Sequence, residues 1–422
     1  MKILAITAFA AMYVLMTLFS KKRVWFVLAT AVLFLVAGII PLTSIPSTVN
    51  WNVLMMMTGT MVLVYYFIES KMPNLIADTL LDLSPNVMWV TIFMSLFSGL
   101  ISAFIDNVAT VLMVAPVGLA ICKKLKISPV PMVLAIAVSS NLQGAATLVG
   151  DTTSIMLGAY AKMDFTDFFW MNGRPGIFFS VEIGALMTVP VMMFLFRKDK
   201  QKVQSEQKTK VTDFMPTILL ILMVAALIIA SFNKDKPEIT NGLICCIAAA
   251  IALVLGLRKP SGTKHALGAL KSIDLETLLL LTGLFVVIEG ITAVGLIDDI
   301  AAALGSVGGN NLFLLYTIIV WGSVLASAFI DNIPYVATML PVIRGICSAN
   351  SLPPMLLFFG LLIGATLGGN LTPIGASANI TAAGLLKKNG YPSSFRDFAK
   401  IGIPFTLIAV ISGYLFTWFV WS

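Results

Sequence analysis

The sequence predicts an all-α polytopic membrane protein, with about 10 transmembrane helices and two re-entrant hairpins arranged as two inverted repeats. Composition is the first observation that predicts this class. Of the 422 residues, 59% are hydrophobic and 11% are charged, whereas a soluble domain has about 25% charged residues. The second observation is an internal repeat, because the sequence of residues 102–107 recurs letter for letter at 327–332.

Apolar windows predict where the chain crosses the bilayer, since a hydrocarbon core of roughly 30 Å needs about 20 apolar residues per helix. Such windows lie at 3–19, 24–42, 54–68, 177–196, 215–232, 239–257, 275–293 and 401–421. The first is expected to be a retained helix rather than a cleaved signal peptide, because Lys21, Lys22 and Arg23 follow it.

The repeat extends beyond the six identical residues. Four further residues recur at the same spacing of 225, namely Pro116 as Pro341, Gly144 as Gly369, Thr147 as Thr372 and Gly150 as Gly375. Several matches at one fixed spacing indicate a duplication. We therefore predict a first repeat at 1–196, a basic cytoplasmic linker at 197–212 and a second repeat at 213–422.

Each repeat contains two apolar segments interrupted by polar residues. They predict hairpins at about 86–121 and 312–346, followed by broken helices at about 130–159 and 355–386. Non-helical backbone is tolerated at membrane depth only where it faces protein or a wet cavity. The interruptions are therefore expected to meet near the centre of the membrane, as in transporters with inverted repeats.

The distribution of the basic residues predicts the orientation. Most of the 27 lysines and arginines fall in loops that lie inside if the N-terminus is outside, as the positive-inside rule requires. The two repeats then start on opposite sides, and both termini lie outside. The net charge of +7 is thus a topology signal, and no nucleic-acid partner is expected.

The hairpin tips carry the main candidate site. Asp106 and Asp331 lie mid-hairpin, followed by Asn107 and Asn332, and Thr110 lies one turn after the first tip. A charged side chain inside a bilayer costs about 2.5–3.5 kcal/mol on insertion scales, so it indicates function. The alternative is that each aspartate only caps the next helix.

The broken helices supply the remaining candidates, whose hydroxyl, amide and freed carbonyl oxygens can coordinate an ion or a small solute. They are Asn141, Thr147, Gly150, Asp151, Thr152, Asn370, Thr372, Gly375, Ser377 and Asn379. Small-residue helix packing is the alternative role. Asp151 has no acidic counterpart, since Ala376 occupies that position, so it is either a functional carboxylate or a cap.

The segments 106–116, 331–341, 146–151 and 370–379 resemble those of the ion transporter superfamily, which includes arsenite permeases, sodium–proton antiporters and divalent-anion/sodium symporters. In the divalent-anion branch the tips read Ser-Asn-Thr and bind sodium and substrate carboxylates. Aspartate and an aliphatic residue stand in those places here, at 106, 108, 331 and 333. The chain is thus nearer the arsenite-permease and antiporter branch, and the resemblance implies an elevator-type motion and a homodimer.

The expected function is secondary active transport coupled to H⁺ or Na⁺, with an ion or an oxyacid such as arsenite as substrate. No enzymatic activity is expected. Na⁺ is expected near Asp106, Asn107, Asp331 and Asn332, and no other cofactor is expected. The alternatives are a sodium-coupled citrate or dicarboxylate transporter and, more distantly, a passive channel. An intramembrane aspartyl protease does not fit, because its Tyr-Asp and Gly-x-Gly-Asp motifs are absent from the paired sites.

The expected partners are the lipid bilayer and a second copy of the chain, in the plasma (inner) membrane. No Walker motif for ATP occurs in the sequence. The sequence does not indicate an external ATPase subunit as a partner, and it does not exclude one. The four cysteines, Cys122, Cys245, Cys246 and Cys347, are scattered without a metal-ligand spacing.

Overall fold

The computed structural model describes residues 1–19, 22–202, 209–211, 213–259, 261–308 and 311–422. Within them the regular structure is helical, except for one antiparallel pair of two-residue strands, β1 (Trp170–Met171) and β2 (Arg174–Pro175). Lys21 and part of the predicted linker, residues 203–208 and 212, lie outside the described residues. The all-α class predicted from the sequence is confirmed.

Five helices precede the first hairpin: α1 (Lys2–Leu18), α2 (Arg23–Val36), α3 (Ile45–Thr48), α4 (Trp51–Glu69) and α5 (Met72–Asp82). The span expected over 24–42 is shorter in the structure, because α2 ends at Val36. Gly38 follows with a φ of +70°, a left-handed conformation that glycine adopts at little cost. A 3-10 helix, Leu42–Ser44, then leads into α3.

The first hairpin and the first broken helix follow. The hairpin consists of α6 (Val87–Ser102) and α7 (Asn107–Lys124), and the broken helix of α8 (Val130–Gln143), a 3-10 turn at Gly144–Ala146 and α9 (Thr152–Ala161). After a further 3-10 turn, Phe165–Phe168, α10 (Ile177–Leu195) completes this part of the chain.

The rest of the chain has the same order of hairpin and broken helix. It opens with α11 (Met215–Ser231), α12 (Thr240–Leu257), α13 (Gly262–Lys271), α14 (Leu275–Ala293) and α15 (Leu296–Gly308). The hairpin is α16 (Leu312–Ser327) with α17 (Asn332–Ala349). The broken helix is α18 (Met355–Leu362), a π-helical turn at Ile363–Leu367, a 3-10 turn at Gly369–Leu371 and α19 (Ser377–Lys388), followed by α20 (Phe395–Trp421).

Besides the four-residue α3, three longer helices, α5, α13 and α15, lie outside the spans expected from the sequence. They are 10 to 13 residues long and mix apolar with polar or charged residues, such as Asp298 and Asp299 in the first turn of α15. Their length is below that of a membrane span. An amphipathic helix of this kind suits the interface between protein, lipid and water.

Six helical stretches among the described residues are long and apolar enough to cross a membrane: Trp51–Glu69, Asn107–Lys124, Ile177–Leu195, Thr240–Leu257, Gly262–Ala293 and Phe395–Trp421. Shorter apolar helices, including α1, α2, α6 and α16, accompany them. The chain is therefore a multi-pass integral membrane protein.

Helices from the two predicted repeats interleave. α4 packs chiefly on α12, α2 on α14 and α10 on α20, while α8 contacts α19 across the middle. Glycines permit the closest approaches: a Cβ at Gly59 would lie 2.4 Å from the backbone of Cys245, and one at Gly290 would lie 2.3 Å from the Phe34 ring. This packing places both hairpin tips and both helix breaks together in the interior.

Candidate functional site

Each hairpin turns at an aspartate that caps the following helix. Asp106 accepts hydrogen bonds from the backbone nitrogens of Val108 (3.0 Å) and Ala109 (3.1 Å) at the start of α7. Asp331 accepts one from the nitrogen of Ile333 (3.1 Å) at the start of α17. The capping role is thus observed at both tips. It uses one carboxylate oxygen of each residue and leaves the other for a different partner.

The helix breaks hold the backbone of the tips. The Thr147 hydroxyl donates to the carbonyl of Ala103, and the Thr372 hydroxyl donates to the carbonyl of Ala328. These carbonyls lie just before the tip aspartates, where helix α6 or α16 has ended. The two threonines therefore satisfy backbone oxygens that the membrane interior could not.

The glycines of the breaks allow the chain to come this close. A Cβ at Gly150 would lie 2.5 to 2.7 Å from the carbonyl oxygens of Gly144, Ala103 and Ser102. A Cβ at Gly375 would meet the oxygens of Gly369, Ser327 and Ala328 at 2.5 to 3.0 Å. Real Cβ atoms do not approach so closely, so each break packs on its hairpin tip only because a glycine is present.

Buried asparagines link the two predicted repeats. Asn107 at the first tip donates to the side-chain oxygen of Asn141 (3.0 Å), and Asn141 donates to the carbonyl of Thr366 (2.7 Å) and to the side-chain oxygen of Asn370 (3.0 Å). Asn370 in turn donates to the carbonyl of Val138 (3.0 Å). Satisfied buried amides of this kind fix one relative position of the two broken helices.

Asn379 and Asn332 complete the polar interior on the side of the second tip. Asn379 donates to the side-chain oxygen of Asn370 (3.2 Å). The Asn332 amide contacts Ser327 and, with its nitrogen turned toward them, donates to the carbonyls of Ala365 (3.1 Å) and Gly375 (3.3 Å).

Asp151 distinguishes the two broken helices. It precedes α9 and accepts hydrogen bonds from the backbone nitrogen of Thr152 and from the hydroxyl of Thr153, both at 2.8 Å. Ala376 stands in the corresponding place, so α19 begins at Ser377 without a side-chain cap. The cap predicted as one role of Asp151 is therefore present, and α19 keeps its first backbone N–H groups free of a carboxylate.

One cavity of about 410 Å³ collects these elements. Eight of the predicted site residues line it: Asp106, Asn107, Asn141, Asp151, Thr152, Asp331, Asn332 and Ser377. Met57 and Met61 of α4 supply apolar wall. The structure thus brings both tips and both breaks to one concave site, the usual form of a small-solute site.

The other predicted residues lie behind this cavity. They are Thr110, Thr147, Gly150, Asn370, Thr372, Gly375 and Asn379, and they hold the tips and breaks in place rather than line the space. Thr110 is fully buried, 3.5 Å from the carbonyl of Ile105. The structure gives these residues positioning contacts, and ligation by them stays a prediction.

Three charged lining residues were missed by the sequence analysis. Asp274 and Glu276, at the start of α14, are exposed and also line the cavity. Arg23, at the start of α2, forms an ion pair with Asp331, and both side chains are less than one-fifth exposed, 18% and 17%. In the sequence, Arg23 indicates only the topology, as one of the basic residues after the first apolar window. The signal that could have found it is the need of a buried carboxylate for a countercharge.

The charges of the cavity are strongly unequal. Five carboxylates line it, those of Asp106, Asp151, Asp274, Glu276 and Asp331, against the single guanidinium of Arg23. A concave surface lined by one sign of charge concentrates the opposite ion. The cavity is therefore suited to cations, or to solutes that enter together with cations.

Sodium was predicted at the tips, and its presence stays a prediction. Carboxylate and amide oxygens of the kind that line the cavity suit a hard cation. Among the described residues, no group of three or more His, Cys, Asp or Glu side chains has the arrangement of a metal site.

A larger cavity of about 560 Å³ lies near the N-terminal end of α4. Asn52 and Met56 line it, with Lys162, Lys234 and Lys236 from the loops. None of the predicted site residues contributes to it. Its size alone does not make it the functional site, since the paired tips lie in the smaller cavity.

Comparison with known proteins gives a family and a fold. A family profile described as "Citrate transporter" (CitMHS) matches residues 11–359. An uncharacterised transporter of Mycobacterium tuberculosis is 28% identical over 433 residues, which cover 99% of this chain and 98% of the relative. The P protein of Mus musculus is 27% identical over 462 residues, covering 91% of this chain and 56% of that protein.

The fold is similar to that of the YdaH transporter of Alcanivorax borkumensis. The two structures align with a TM-score of 0.61 and 12% identity, over 89% of this chain and 86% of the other. At this identity the likeness concerns the fold alone.

Proposed function

Because the chain belongs to the citrate transporter family and is a membrane transporter, we propose that it is a secondary active transporter driven by H⁺ or Na⁺. The observation that supports this most is the joint cavity of the two hairpin tips, with Asp106 and Asp331 in its wall. Half-buried carboxylates at hairpin tips are suited to bind and release a coupling cation as the protein changes conformation.

Asp106 is the carboxylate best placed to take that cation. Its Oδ1 accepts both capping hydrogen bonds, and among the described residues no basic side chain forms an ion pair with it. Asn107 follows in the same wall of the cavity. A proton on Asp106, or Na⁺ bound to Asp106 and neighbouring oxygens, would neutralise one of the five negative charges.

Charge also restricts the substrate. A free anion that approaches the tips meets carboxylates in excess over Arg23, so it is repelled unless its own charge is neutralised. The cavity therefore favours a cation in exchange for protons, or a neutral oxyacid such as arsenous acid. This is the arsenite-permease or sodium–proton antiporter activity.

Citrate or another carboxylate is the second candidate, and it has its own support in the family description. Arg23 lies in the cavity, and α19 starts there with Ala376 in place of an acidic cap. A guanidinium and an uncapped helix N-terminus both stabilise carboxylate groups. Citrate would have to arrive with bound protons or metal cations, because the remaining wall is acidic.

The same proposal extends to the orientation and the assembly. The cavity mouth carries Asp274, which follows the basic loop around α13, and basic loops are retained inside. We therefore propose that the cavity opens to the cytoplasm of a plasma (inner) membrane in this conformation. A homodimer remains part of the proposal because the superfamily resemblance implies it.

The test is flux in proteoliposomes with Na⁺, Li⁺, arsenite and citrate as separate arms, each at several pH values. We expect a Na⁺- or H⁺-dependent flux of one of these solutes, lost in Asp106→Asn and in Asp331→Asn. Asp298→Asn, an exposed position on α15, is the matched control and should transport normally.

Normal coupled transport by both tip variants would contradict the proposal that these aspartates carry the coupling ion. The solute arms decide between the two candidates: citrate flux that depends on a cation favours the second, whereas cation or arsenite flux without citrate favours the first.

A further inference from the structure

The two hairpin tips have the same sequence but different charge partners. Oδ2 of Asp331 accepts a hydrogen bond from Nη1 of Arg23, and the two side chains form an ion pair. The Ser377 hydroxyl lies 3.3 Å from the same oxygen. Among the described residues, Asp106 has no corresponding cationic partner. The oxygen that remains open at the first tip is therefore occupied at the second.

Arg23 reaches Asp331 from a separate helix. It is the first residue of α2, which packs on α14 rather than on the hairpin that contains Asp331. Nothing in the fold of the hairpin itself requires this contact, because Asp331 already caps α17 through Oδ1. The guanidinium is thus a cation that comes from outside the hairpin and stays attached to the protein through the Arg23 side chain.

Arginine cannot release this site by losing its proton, since its pKa lies far above physiological pH. It can leave only by moving to other carboxylates. Asp274 and Glu276 line the same cavity and are exposed at its mouth. A displaced guanidinium therefore has anionic partners within the cavity.

On the proposed function, which this inference presupposes, we propose that Arg23 is a tethered cation that fills the Asp331 site whenever no transported cation is bound there. A cation that binds at the second tip competes with the guanidinium, because Arg23 already occupies Oδ2 of Asp331 and two positive charges held this close repel each other. In the part of the chain that the structure describes, the first tip has no such competitor. The two tips therefore differ in cation affinity although their sequences are identical, and the second is the weaker site.

The test measures the Na⁺ concentration, or proton concentration, at half-maximal flux in proteoliposomes and at half-maximal thermal stabilisation of the purified protein. We expect Arg23→Gln to lower this concentration about tenfold, because the competing charge is gone. Arg23→Lys keeps a competing charge, so its half-maximal cation concentration should lie closer to that of the wild type. Lys22→Gln removes the neighbouring exposed charge and should change nothing.

Loss of Arg23 alone could harm folding, because it leaves the Asp331 carboxylate without its ion-pair partner. A variant that lacks both charges keeps the test interpretable in that case. Both charges are absent in the double variant Arg23→Gln/Asp331→Asn. Thermal stabilisation is the readout for this pair, because it does not require transport. We expect the half-maximal cation concentration of the double variant to equal that of Asp331→Asn alone, because the arginine acts only through Asp331.

Two results would overturn the inference, and they are distinguishable. If the wild type responds to Na⁺ or H⁺ but Arg23→Gln has the same half-maximal concentration and only a lower melting temperature, the ion pair is structural and the tethered-cation role is wrong. If the wild type itself responds to neither cation, the proposed function fails, and this inference fails with it.

Discussion

At the scale of single residues, identical letters in the two repeats have unequal surroundings. Asp106 and Asp331 cap equivalent helices, but within the described ranges of the chain only Asp331 meets an arginine. Asp151 and Ala376 occupy equivalent positions and differ in charge altogether. The chemistry of the cavity is therefore asymmetric, which a transporter can use to bind a coupling ion and a substrate at different places.

The threonines behind the tips provide a prediction at this scale. We expect Thr147→Val and Thr372→Val each to lower the free energy of unfolding by about 1–3 kcal/mol, because each leaves a buried carbonyl unsatisfied. Both residues are buried and make the same contact, so the two losses should be similar. The measurement is denaturant unfolding in detergent.

Thr79→Val on α5 is the control for this pair, since its hydroxyl is exposed and bonds only within its own helix. Its stability should change little. A loss no greater than that of the control in both buried variants would show that the two hydroxyls do not support the tips.

At the scale of elements, the breaks in the helices are where the sequence carries the most information. Both broken helices unwind where glycine, threonine and asparagine cluster, and both hairpins turn at their aspartates. The short helices α5, α13 and α15 could not be predicted in the same way. They are too short to span the membrane and too apolar on one side to appear as loops.

Gly150 and Gly375 provide the prediction for these elements. Replacing either with alanine should separate the break from its hairpin tip, because the new Cβ would meet several carbonyl oxygens. We expect a destabilisation of at least about 1–3 kcal/mol, the usual effect of overpacking, together with loss of transport. Thermal denaturation and flux are the measurements.

Gly384→Ala is the matched control, because a Cβ at this position in α19 would have no atom within 4 Å. Alanine is the better helix former and should stabilise it by up to about 1 kcal/mol. Wild-type stability and flux in both Gly150→Ala and Gly375→Ala would contradict the close packing described here.

At the scale of the whole molecule, ion pairs and hydrogen bonds join segments that the charge pattern assigns to the same side of the membrane. Lys2 pairs with Asp299 and Lys236 with Asp164, all predicted outside. On the other side, the carbonyls of Asp199 and Gln201 in the described part of the linker accept from the nitrogens of Met88 (2.9 Å) and Val87 (3.0 Å). The predicted sides are therefore mutually consistent.

The absolute orientation can be measured by labelling single cysteines with a membrane-impermeant thiol reagent in intact cells. In a variant without the four native cysteines, Lys123→Cys should be protected and Ala349→Cys should be labelled, because the first lies on the predicted inside and the second on the outside. Both positions are exposed. The reverse labelling pattern would overturn the predicted topology and the inward-open cavity.

The membrane class, most of the spans, the repeated hairpins and the residues at their tips could be predicted from the sequence. These follow from local properties, namely apolar length, the positions of charge and the letter-for-letter recurrence of one segment. The tertiary structure was needed to place Arg23, Asp274 and Glu276 in the cavity, since they come from helices distant in sequence that pack across the two repeats. It also separated the residues that line the cavity from those such as Thr147 and Gly375 that hold its walls. A side chain's direction depends on packing between helices, which no pattern along one chain encodes.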